Sequence, residues 1–181
     1  MNENYMREVT IKNYPYITTI MHGDKYKLKE NFNWHMDTII KNLSLYFDEE
    51  TKSKAVSEIW YDMSSDLLDW KGRKGGDIIM ANSAYHATAR AICRIDPFDE
   101  RYPLSKCNLN EIQKDIVRTF LPRRISGSTY YDETLYKENR ENLCKRHNIS
   151  FLKYYKEKIS ADREVKRVMK VEKKKCLKLA K

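Results

Sequence analysis

Apolar side chains in this chain return every third or fourth residue over long stretches, and almost nothing interrupts them. Between Lys27 and Phe47, the residues Phe32, Met36, Ile39, Ile40, Leu43 and Tyr46 or Phe47 share one helical face. Tight hairpins draw on glycine and proline, and 181 residues hold only five Gly and four Pro. The pattern predicts a mostly α fold: a compact helical body with a short N-terminal β hairpin or arm and a basic C-terminal helix.

The same spacing places the other helices. A second is predicted from Asp48 to about Trp70. Asp48, Glu49 and Glu50 suit its N-terminus, and Ala55, Val56, Ile59, Trp60, Met63 and Leu67 form its apolar face. Asp77 caps a third that reaches about Ile95, with Ala81, Ala84, Thr88 and Ala91 as a small-residue face for close packing. A fourth is expected from Ser105 to Phe120, halted before Pro122. Two more follow, about Asp132 to Arg146 and Ser150 onward. At the N-terminus, Val9 and Ile11 alternate with polar neighbours and Tyr16 to Ile20 is β-branched and aromatic, so Arg7 to Met21 reads as extended chain. The expected organisation is a body over 1–125 and, over 126–181, a helix-turn-helix-like pair with its basic helix.

Charge is distributed unevenly. The net charge is +9, and residues 151–181 hold twelve Lys/Arg against four Asp/Glu, so the first 150 residues are nearly neutral. A polyanion, nucleic acid above all, is the partner such a segment fits. Its candidate contacts are Arg163, Lys166, Arg167, Lys170, Lys173, Lys174 and Lys175, extended by the basic loops at Lys71, Arg73 and Lys74 and at Arg123 and Arg124. No apolar run approaches the roughly 20 residues of a membrane span, and MNENYMREV lacks the pattern of a signal peptide. Four scattered cysteines read as reduced thiols, so a cytoplasmic chain is expected.

The segment from Glu141 to Lys158 resembles the helix-turn-helix of DNA-binding regulators. Leu143 faces the core, Cys144 lets two helices cross closely, Asn148 takes a left-handed turn conformation, Ile149 plugs the core and Ser150 caps the next helix. That helix presents Lys153, Tyr154 and Lys156 to a groove. Two positions depart from the pattern: Glu157, where an apolar residue is expected, and the polar His147 at a half-buried site.

Catalytic chemistry is not indicated. His22, His35, His86 and His147 lack metal-ligand spacing, and no phosphate-binding glycine loop or nucleophile motif occurs. Glu58, Asp62, Asp66 and Asp69 form a helical row, read as a solvated face instead of a Mg²⁺ site. No catalytic residue, cofactor or metal is therefore assigned.

Taken together, the size, the body without catalytic motifs, the Lys-, Asn- and Tyr-rich composition, the helix-turn-helix-like element and the basic end resemble the type II anti-CRISPR proteins of phages and mobile elements, the inhibitors of Cas9. The resemblance implies a non-enzymatic protein of the bacterial cytoplasm that binds Cas9 or a similar nucleic-acid-bound effector, with double-stranded DNA, no membrane and a homodimer left open. The alternative is a transcription regulator that reads DNA through residues 141–158. A small nuclease with dispersed carboxylates is a third.

Overall fold

The structure, a computed structural model, describes residues 24–68, 76–128 and 133–179. It contains six α-helices: α1 (Asp24–Tyr46), α2 (Glu49–Leu68), α3 (Gly76–Ile92), α4 (Glu111–Ser126), α5 (Glu133–Arg146) and α6 (Phe151–Leu179), with a 3-10 turn at Pro103–Lys106. No strand occurs among the described residues. The expected N-terminal hairpin at residues 7–21 lies outside them.

One core joins α1, α2, α3, α4 and α6. Ile39 and Leu43, Ile59 and Met63, Met80 and Ala84, Val117 and Ile125, and Ala161 and Val165 all belong to it. The small residues of α3 explain its position: Ala81, Ser83, Ala84, Ala87 and Thr88 are buried, and the helix packs against α1, α2 and α4. The predicted start of α2 is seen in detail. Asp48 accepts the Thr51 backbone N–H at 2.8 Å, a hydrogen bond that holds its carboxyl below the usual range. By contrast, among the described side chains of α5 only Leu143 and Cys144 are buried, in a second cluster with Ile116 and Tyr154. A fully buried side chain stabilises by about 1.5–3 kcal/mol, so α5 depends on the neighbours α4 and α6.

The fourth helix differs from expectation at both ends. Pro103–Lys106 take a 3-10 turn that buries Leu104, and Cys107 is extended, so the helix restarts at Asn110. There Asn110 and Gln113 form a reciprocal capping box. At the far end α4 runs through Pro122 to Ser126. An interior proline costs about 3 kcal/mol. Burial of Leu121, Pro122 and Ile125 opposes that cost, and the Asn42 amide of α1 donates to the terminal carbonyls of Arg124 and Ile125, at 3.1 and 2.9 Å. Gly127, at φ 59, then ends the helix in the left-handed conformation. The sequence boundary at 125/126 thus falls at the end of α4, and α6 beyond it shares the body's core.

Candidate binding surface on α6

The corner between α5 and α6 forms from local chemistry. Asn148 adopts φ 49. The Ile149 N–H donates to the Cys144 carbonyl at 3.0 Å and the Asn148 N–H to Lys145 at 3.2 Å, the two bonds of a Schellman ending. Ser150 Oγ accepts the Lys153 N–H at 3.3 Å and caps α6. Leu143 and Cys144 are buried and Ile149 packs beside them, so each turn position takes the conformation or burial expected of it.

The two residues that break the helix-turn-helix pattern are both explained by α4. His147 Nε2 lies 2.9 Å from Asp115 Oδ2. Burial raises the Asp115 pKa, and hydrogen bonds from His147, Arg118 and Arg146 outweigh it, leaving the carboxyl below its usual range. Glu157 accepts from Gln113 Nε2 at 2.8 Å and Asn110 Nδ2 at 3.3 Å, which sets a carboxylate at the N-terminus of α4. Tyr154 corrects the sequence expectation. It is 4% exposed, packed in the second cluster, and burial pushes its phenol well above the ordinary value. It supports the corner from inside and does not reach a groove.

All four acidic residues of α6 turn toward the body or a neighbouring cation. Glu157 serves the α4 cap, and Asp162 pairs with Arg124 and Lys166. Glu164 accepts the Asn108 backbone N–H and binds Arg167, which holds its pKa at about 2. Glu172 pairs with Lys106 at 3.1 Å. Lys153, Lys156, Arg163, Lys166, Arg167, Lys170, Lys173 and Lys174 are all exposed on the other side. Of these, only Lys166 and Arg167 form an ion pair among the described residues. A nearly continuous cationic face results.

The first turns of that outward face are apolar. Phe151, Leu152, Tyr155 and Ile159 are 48, 67, 41 and 53% exposed. Arg140 of α5 lies over the Phe151 ring at 4.7 Å and donates to Tyr155 Oη at 2.8 Å. Sequence reasoning misses this stripe. Its signal is the spacing of 151, 155 and 159, hidden because the helix-turn-helix pattern puts Tyr154, one position off, on the surface.

The remaining candidates are dispersed. Arg123 is exposed; Arg124 is half-buried, stacked on Phe120 at 4.8 Å and paired with Asp162. Both line an open hollow of about 400 Å³ with Gly127, Ser128 and Lys158. Lys71, Arg73 and Lys74, and the side chain of Lys175, lie outside the described residues. Asp62 pairs with Arg90 at 2.8 Å and Asp66 accepts from Ser83 at 2.6 Å, so both tie α2 to α3. No group of three potential metal ligands occurs among the described residues, and no described helix is long and apolar enough to cross a membrane. Cys93, Cys107 and Cys144 are free, and burial pushes the Cys107 thiol up to about 11, far from a reactive thiolate at neutral pH.

Comparison with protein-family models, with curated proteins and with solved structures finds no match for this chain.

Proposed function

We propose that this chain is a non-catalytic binding protein that inhibits a nucleic-acid-bound effector, the cationic face of α6 meeting the phosphates. One observation carries the reading: the acids of α6 are engaged by the body or by neighbouring cations, while all its cations with described side chains except Lys158 are exposed. Acids interspersed among the cations would weaken attraction to a polyanion, and here, of the exposed cations, only Lys166 and Arg167 are paired with one among the described residues. Phosphate contact of this kind is salt-sensitive and weakly sequence-selective. The resemblance to type II anti-CRISPR proteins names the effector as Cas9, whose nucleic-acid channel is charged and recognises backbone. The site of action is then the bacterial cytoplasm.

The test is target cleavage by a purified Cas9–guide RNA complex with increasing amounts of the chain. Cleavage should fall, and removal of residues 170–181 should weaken the inhibition. With Mg²⁺ and no Cas9, the DNA should stay intact. Unchanged cleavage at large excess would overturn the choice of effector, and degradation of DNA by the chain alone would replace binding with catalysis.

The second reading, a DNA-binding regulator, is favoured by the Asn148 turn and the Ser150 cap. It predicts that Lys153→Ala with Lys156→Ala weakens binding to one preferred sequence more than to random duplex. The exposed Leu152 and Ile159 beside these lysines place it second, because base edges are read mainly by polar side chains.

A further inference from the structure

We propose that the N-terminal turns of α6 are a pairing seam for an acidic amphipathic helix of another protein. The inference goes beyond the phosphate reading and stands whether or not α6 touches nucleic acid. Leu152, Tyr155 and Ile159 are spaced by three and then four residues, the repeat that lines a helix–helix seam, and all three are exposed. The opposite side of the same turns is occupied by the body through Tyr154, Glu157 and Ala161. This part of α6 is therefore packed on one side and open along an apolar line on the other.

The edges of the line say what covers it. Lys156 and Arg163 flank it on one side, exposed and without an ion pair among the described residues. Phe151 and Lys158 flank it on the other, the first under Arg140 and the second bound to Tyr136 Oη at 2.9 Å. Flanking charges choose the partner of such a seam, and here they are cations with no carboxylate between them. The complementary occupant carries Glu or Asp at its own flanking positions. The next seam position, Asp162, is held by Arg124 and Lys166, so the seam stops after Ile159.

Two other occupants fit less well. A second copy in antiparallel pairing would set Lys156 and Arg163 against their own counterparts, like charge on like. Single-stranded nucleic acid would stack its bases on rings, yet Leu152 and Ile159 have none and Arg140 covers one face of Phe151.

The experiment titrates the full chain with labelled synthetic helical peptides that have Leu at the seam positions and either Glu or Lys at the flanks. The Glu peptide should bind roughly tenfold or more tighter than the Lys peptide. Leu152→Gln with Ile159→Gln, which adds no charge, should abolish that binding, with circular dichroism and the salt dependence of duplex binding unchanged, which separates this seam from the phosphate-binding face. Lys156→Glu with Arg163→Glu, which keeps the apolar line, should reverse the preference. Equal binding of the two peptides, or none, overturns the proposal. So does displacement of the Glu peptide by an oligo-dT strand, which would assign the stripe to bases, or self-association abolished by Leu152→Gln with Ile159→Gln, which would assign it to a second copy.

Discussion

Asn148 and Gly127 both sit at positive φ, and their sequence contexts make one legible and the other not. Asn148 follows Leu143 and Cys144 at the spacing of a helix ending and precedes a capping serine, so the residues around it suffice to predict its left-handed conformation. A β-branched side chain there meets the steric cost of that region, about 1–2 kcal/mol, so Asn148→Val should lower the urea unfolding free energy by that amount while Asn148→Gly leaves it nearly unchanged. Gly127 lies in a basic loop by sequence, and nothing there announces that a Cβ would come 2.6 Å from the Thr38 methyl of α1. That contact is purely tertiary. His35 is a second residue whose behaviour belongs to its surroundings: it is buried, and burial lowers its pKa below 6.5 against an opposing hydrogen bond with the Ser126 backbone. A lowered histidine pKa means that the unfolded chain takes up its proton first. The contribution of His35 is therefore complete above about pH 6.5 and is lost as pH falls below that value toward its folded pKa. Urea midpoints at about pH 7.5 and 5.5 should differ less in His35→Gln than in the natural chain. The carboxylates of Glu164, Asp115 and Asp48, whose pKa values are depressed, lose their share at lower pH, which separates the two effects.

Helix periodicity locates all six elements, because an apolar face at 3.6-residue spacing must be buried wherever it occurs. Boundaries set by local signals also emerge, as at Asp48 and Ser150. The end of α4 does not, since the rule against helical proline is local while the Asn42 amide that binds the terminal carbonyls comes from 82 and 83 residues away along the chain. Glu157 marks the same division. By helix-turn-helix pattern alone Glu157→Leu would improve the corner. In this fold it strips the acceptor from Gln113 Nε2, a buried donor, and should destabilise by about 1–3 kcal/mol, whereas Glu157→Gln keeps an acceptor and should cost less. Thermal unfolding of the two variants side by side checks the order.

At the scale of the molecule, the net charge of the C-terminal segment is plain from composition, but its segregation is not, because each acid of α6 finds its partner on a body element or on an adjacent turn. The apolar stripe is hidden for a related reason: the sequence does not say which side of an amphipathic helix is already covered. The exposed lysines lead to a salt prediction. Each phosphate neutralised contributes about 0.9 to the slope of log affinity against log salt on duplex DNA, so removing residues 170–181 should make that slope shallower by roughly 2 to 3 units if half of its lysines touch phosphate. Among the described residues no member of the core lies beyond Met169, so the shortened chain should keep its helical circular dichroism. An unchanged slope in a folded truncation would move the contact elsewhere on the surface.

The place of α6 in the core has a consequence for how the chain is made. Ala161, Val165 and Val168 complete a core whose other contributors, in α1 to α4, leave the ribosome earlier. Until those three residues emerge, the nascent body holds an open apolar cleft, and domains exposing such surface are prone to aggregate. Synthesis paused near Asp162 would leave that cleft to chaperones until this part of α6 has cleared the exit tunnel.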